Sequence, residues 1–133
     1  MLIIFDLDDT LVCGKKPCVP KQTYHTLRAL KAQGHTLVIV TYNALGHFVA
    51  NSHGLFKYID ALYYLENPKE RSDLILVVLF YHQLNEYPFA SFMYFDDRKD
   101  NIQNVQSQFP TNICVHVQDT LQLFAQVKQH ISV

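Results

Sequence analysis

Leu2-Ile3-Ile4-Phe5-Asp6-Leu7-Asp8-Asp9-Thr10-Leu11 is the stretch whose reading decides the fold. A continuous apolar run suits a strand buried on both faces, as in a parallel sheet covered by helices. Here the run ends abruptly in acid. Residues two apart on an extended chain point to the same side, so Asp6 and Asp8 emerge together at the strand's rim while Leu7 faces away. Two neighbouring carboxylates repel each other, and such a pair needs a cation between them or a proton on one of them.

Working outward, apolar runs and helical patterns alternate along the chain, which predicts a βαβ series and a mostly parallel sheet. Cys13–Val19 contains Gly14 and Pro17 and reads as a loop. Pro20 suits the first turn of a helix running to about Gln33, and Gly34 is its stop. Thr36–Val40 is a second strand, rich in β-branched residues. A short helix over Ala44–His53 and a short strand within Tyr58–Tyr64 follow. Asn67-Pro68-Lys69-Glu70 is a helix start, with a cap residue, a proline and an acid in order. The run behind it, Leu74–Tyr81, fits a buried helix or a buried strand by periodicity, and its length and cap favour the helix. Ser91–Phe95 reads as a strand, Lys99–Phe109 as a helix and Asn112–Val117 as the last strand. Asp119-Thr120-Leu121-Gln122 opens a final helix. The expected architecture is one α/β domain over residues 1–133, a three-layer α/β/α Rossmann-like sandwich around a five-stranded sheet.

In open sheets of this kind, ligands bind beyond the carboxyl ends of the strands. Four groups of reactive residues fall there: Asp6 to Thr10, Thr41-Tyr42-Asn43, Lys69, and Asp96-Asp97. Each alone is ordinary. Acids after strands make turns and helix caps, a threonine caps, and a lysine is usually solvated. Two acidic strand ends in one small sheet describe a divalent-cation site, and magnesium prefers oxygen ligands. A hydroxyl and an ammonium beside metal-bound carboxylates would hold phosphoryl oxygens. Tyr42 and Asn43, next to Thr41, are placed either to pack the loop or to contact a leaving group.

These residues resemble the haloacid dehalogenase superfamily. Asp6-Leu7-Asp8-Asp9-Thr10 is similar to its first motif, DxDxT, and Thr41 after Leu37-Val38-Ile39-Val40 to its second. Lys69 is similar to its third, with Lys99 as a competing candidate, and Asp96-Asp97 to its fourth. The resemblance implies Asp6 as a nucleophile that forms an aspartyl-phosphate, and Asp8 as general acid and then general base. It implies Thr41 and Lys69 as holders of the phosphoryl group and Thr10 as a support for the first loop on the substrate side. It implies magnesium held by Asp6, Asp8 through its carbonyl, and Asp96, with Asp97 ligating or orienting. An acid at position 8 favours a phosphatase, because a leaving alcohol needs a proton.

The superfamily often carries a cap domain, inserted after the first motif or between the second and third. Val12–Val19 and the stretch from Thr41 to Lys69 are too short for one, so a capless site with an open cleft is expected. Such a cleft suits a phosphate on something large, a phosphoprotein for example. The formal net charge of −1 has none of the basic footprint of a nucleic-acid binder. A membrane span needs roughly 20 apolar residues, longer than any run here, and the first residues lack the pattern of a signal peptide. Cys13, Cys18 and Cys114 form neither a disulfide framework nor a zinc knuckle and are expected to be reduced, in a cytoplasmic setting. A monomer and a homodimer are both open. A phosphotransferase, or a binding module that kept the fold without turnover, is the alternative reading.

Overall fold

The computed structural model describes residues 1–13, 18–66, 70–82 and 91–131. The strands are β1 Leu2–Asp6, β2 Thr36–Thr41, β3 Ala61–Tyr64, β4 Phe92–Asp96 and β5 Ile113–His116. The α-helices are α1 Lys21–Ala32, α2 Gly46–Ser52, α3 Arg71–His82, α4 Lys99–Gln108 and α5 Leu123–Lys128. All strand pairings are parallel, in the order β3-β2-β1-β4-β5. This is the expected α/β sandwich, and the described residues contain no additional domain.

The central strands are buried along their whole length, as their unbroken apolar runs require. Their alternate residues feed two separate cores. Ile3, Phe5, Leu37, Ile39, Met93 and Phe95 pack with Leu27 and Leu30 of α1 and Leu123 and Val127 of α5. Leu2, Ile4, Val38, Val40, Phe92 and Tyr94 pack with Leu74, Ile75 and Val78 of α3 and Val105 of α4. A register slip of one residue in β1 would exchange the two sets and drive Asp6 out of its place at the strand end.

The ambiguous run Leu74–Tyr81 lies inside α3. Its helical code was obscured because Leu76, Phe80 and Tyr81 are exposed apolar residues on the outer side, which fill in the polar half of the period. The cap at Asn67-Pro68 lies outside the described residues. Gly34 closes α1 with φ +85, a conformation that disfavours any Cβ, in accord with its expected role as a stop. Asp119 caps the last helical segment by accepting the Leu121 N–H at 2.9 Å, but the first turn is 3₁₀ (Thr120–Gln122) before α5 begins.

From β1 the chain moves to β2 and β3 on one side, then crosses to β4 and β5 on the other. The connections leaving β1 and β4 therefore diverge, and a crevice opens where these adjacent strands end. β1 ends at Asp6 and β4 at Asp96.

Candidate active site at the β1–β4 crevice

The loop leaving β1 is a tight turn. The Leu7 carbonyl accepts from the N–H groups of Leu11 and Val12, at 3.0 and 3.1 Å, and Asp9 takes φ +63, a left-handed conformation that aspartate tolerates better than most residues. The turn returns Thr10 beneath Asp6, where its hydroxyl donates to Asp6 Oδ2 at 3.3 Å. Thr10 is fully buried and thus supports the acid turn from inside the protein.

Asp6, Asp96 and Asp97 each offer a carboxylate oxygen within 4.8 Å of the others. Asp6 and Asp96 are buried and Asp97 is half-buried. Burial pushes the Asp6 carboxyl well above the usual range, and the nearby Asp96 charge adds to this, with the opposing pull of Arg71 unable to reverse it. Burial also raises Asp97. Asp8 is half-buried beside this group and accepts at Oδ2 from Asn43 Nδ2 at 3.3 Å.

Asp96 is fixed from several sides. Its Oδ2 accepts from the Tyr94 hydroxyl and from Asn101 Nδ2 at 3.0 Å, and its Oδ1 from the Arg98 N–H at 2.9 Å. Tyr94 sits two residues back on β4, so it shares a face with Asp96, and Asn101 reaches it from the first turn of α4. The Asp97 carbonyl is within 2.8 Å of His116 Nε2, which ties this strand end to β5.

Among the described residues, the cation in contact with this acid group is Arg71. Its Nη2 donates to Asp6 Oδ1 at 3.0 Å and lies 3.7 Å from Asp96 Oδ2. The side chain is only 3% exposed, and its guanidinium stands 4.2 Å over the Tyr42 ring. Arg71 Nε and Nη1 and the Tyr42 hydroxyl are buried with no hydrogen-bond partner among the described residues. The sequence reading did not name Arg71. A signal was present: residues 71, 74, 75 and 78 share one helix face, and Leu74, Ile75 and Val78 are its inward apolar positions. Lys69 lies outside the described residues, and Lys99 is exposed at the first position of α4.

Thr41 closes the site from β2. It is buried, and its hydroxyl oxygen accepts the Asn43 N–H at 3.0 Å. Asn43 Oδ1 in turn accepts the Leu45 N–H at 2.9 Å, which leaves the amide's NH₂ to face Asp8. Gly46 makes this arrangement possible, since a Cβ there would come within 2.7 Å of Thr41 Cγ2.

Residues 3–50 match the family of haloacid dehalogenase-like hydrolases. That stretch holds β1 with its acid turn, β2 and Thr41. Over that stretch the chain is similar to haloacid dehalogenase-like hydrolases. Solved structures share the fold over nearly the whole chain. One is a haloacid dehalogenase-like hydrolase from Streptococcus pneumoniae, at 14% identity and TM-score 0.68, covering 92% of this chain and 90% of that one. Another is the haloacid dehalogenase domain of the effector Lem4 from Legionella pneumophila, at 9% identity and TM-score 0.69, covering 98% and 93%. A third is the D,D-heptose 1,7-bisphosphate phosphatase of B. bronchiseptica, complexed with magnesium and phosphate, at 12% identity and TM-score 0.61, covering 98% and 99%. No curated protein sequence matches the chain.

The donor set of the acid group fits a hard divalent cation. Asp6, Asp96 and Asp97 would offer it carboxylate oxygens, which magnesium prefers. Three carboxylates meet one guanidinium in contact, so the site keeps a net negative charge, and burial already drives Asp6 toward its neutral form. A cation between Asp6, Asp96 and Asp97 would relieve both effects. No helix among the described residues is long and apolar enough to cross a membrane.

Proposed function

We propose that this protein is a magnesium-dependent phosphomonoesterase that works through an aspartyl-phosphate on Asp6. The observation that carries this reading is the grouping of Asp6, Asp96 and Asp97 within 4.8 Å at the crevice, with Arg71 on Asp6 at 3.0 Å. Bound at these carboxylates, the metal would keep Asp6 ionised and offset phosphoryl charge.

The chain's own groups supply the remaining chemistry. An Asp6 carboxylate oxygen attacks phosphorus, and the ester oxygen leaves with a proton from Asp8. Asp8, now a base, takes a proton from water. The water oxygen attacks the same phosphorus, which releases inorganic phosphate and regenerates Asp6. Thr10 and Arg71 hold the nucleophile in place through its two oxygens. Arg71 offsets charge from within the protein, where a fixed cation costs no reorganisation during the reaction. Thr41 belongs to the phosphoryl-binding side, while Tyr42 supports Arg71 from below through its ring. Lys69 is carried in this proposal as a further phosphate ligand on the strength of the motif alone.

Asn43 holds Asp8 rather than substrate in this scheme. Asn43→Ala is expected to lower kcat about tenfold with little change in KM, because the hydrogen bond that orients the Asp8 carboxyl group is lost. Steady-state kinetics would check this, and a change confined to KM would instead mark Asn43 as a substrate contact.

The described residues around the crevice include no covering domain, which favours a phosphate presented on a large partner such as a phosphoprotein. The deciding assay is hydrolysis of an aryl phosphate, with magnesium and with chelator. Turnover that needs the metal supports the reading. Folded, magnesium-replete protein that turns over neither an aryl phosphate nor a phosphoprotein panel would leave a binding module.

A further inference from the structure

Beside the acid group lies a second feature that the phosphatase reading does not use. A cavity of about 320 Å³ is lined by Asp9, Cys13, Asp97, Gln118, Asp119 and Thr120. Cys13 stands on its wall, one residue past the turn that carries the nucleophile motif, and Asp97 lines the same cavity. Its backbone N–H donates to the Cys18 carbonyl at 2.9 Å. This hydrogen bond brings the backbones of the two residues together. The two thiols are in side-chain contact, which holds the Cys13 proton more tightly. Cys18 is exposed, and Cys13 is half-exposed, so oxidants reach both. Cys114 is different: it lies on β5 among the residues packed against α3 and α4, where burial pushes its thiol up to about 11.

We propose that Cys13 and Cys18 are an oxidation site, forming a reversible intramolecular disulfide on the rim of the acidic cavity. A peroxide is the oxidant. The exposed Cys18 sulfur attacks the O–O bond, becoming a sulfenic acid as the first water leaves. The Cys13 sulfur then displaces the sulfenic oxygen, which departs as a second water once it has received the thiol proton. Two thiols and one peroxide thus give one disulfide and two waters. A dithiol returns both thiols by exchange. In a reducing compartment such a bond is transient and reports oxidant rather than holding the fold together. Cys13 lines the cavity together with Asp97, so the redox state of the pair acts on the cavity wall. Bond formation does not depend on whether the protein is a phosphatase.

The experiment is peroxide treatment of the full-length protein, followed by alkylation under denaturing conditions and mass spectrometry. The expected product is a monomer that alkylates once, at Cys114, where the reduced protein alkylates at all three cysteines. It carries a peptide cross-linked between Cys13 and Cys18, about 2 Da lighter than its reduced form. Dithiothreitol restores both sites. Cys13→Ser and Cys18→Ser controls should each accumulate a sulfenic acid or higher oxide on the remaining cysteine. Sulfinic acid without a cross-link in the wild type, or cross-links only between chains, would overturn the proposal.

Discussion

Replacing Arg71 by alanine is expected to destabilise the protein by about 3–5 kcal/mol, the usual cost of leaving a buried partner charge uncompensated. For a domain of this size that corresponds to a fall in Tm on the order of 10–20 °C. Two carboxylates bear the loss: Asp6, bonded to Arg71 at 3.0 Å, and Asp96 at 3.7 Å. The effect has a definite pH signature. In the native protein the Asp6 carboxyl is already held above its ordinary value by burial and by Asp96. A carboxyl raised in the folded state binds its proton more tightly there than in the unfolded chain. The stability it contributes is present below the ordinary carboxyl range and is lost as pH rises through the raised value. Without the guanidinium that rise grows, so the deficit of Arg71→Ala should widen from acid to neutral pH and shrink on acidification. Thermal melts across that range test it. Arg71→Lys keeps a charge but not the planar fork, so it should recover much of the stability and little of the turnover. A small loss for Arg71→Ala that does not change with pH would mean the pair matters little.

Asp6→Asn is expected to abolish phosphatase turnover, by at least about a thousandfold, because the amide is no nucleophile and only binding contributions remain. The shape of the residue is kept, and an amide can still meet Thr10 and Arg71, so the fold should survive. A second measurement separates chemistry from binding. If magnesium sits at Asp6, Asp96 and Asp97, about 100-fold excess over its Kd adds about 2.7 kcal/mol to wild-type stability, an increase in Tm of about 10 °C. Asp6→Asn should lose most of that increase. It should also lose the part of the metal-free pH dependence that the raised Asp6 carboxyl causes, since there is no longer a proton to release. A variant that keeps both turnover and the magnesium shift would remove Asp6 from the centre of the mechanism.

Much of the architecture was legible because local rules and the global fold agree. The unbroken apolar strands marked a sheet covered on both faces, and the acids at the ends of β1 and β4 came together as a crevice requires. Asp6, Asp96 and Asp97 do converge, and Thr10 does lie against Asp6. The harder region was α3, where exposed Leu76, Phe80 and Tyr81 dilute the amphipathic signal. That ambiguity hid the inward face on which Arg71 stands. Motif position points to Lys69 or Lys99; Lys99 is exposed, Lys69 lies outside the described residues, and only burial marks Arg71 as a cation that faces the acids.

By itself, the sequence determined the element order, the two faces of the sheet and the strand ends where acids gather. These follow from periods of two and near four and from turn chemistry, all of which act over a few residues. Only the tertiary structure decided which cation meets the acids, what locks Asp96, and which way the Asn43 amide turns. Arg71 reaches Asp6 across 65 residues, and Asn43 reaches Asp8 across 35. No local period spans such separations. They close only when helices and strands dock, burying side chains together and making every buried polar group find the partners that happen to be near.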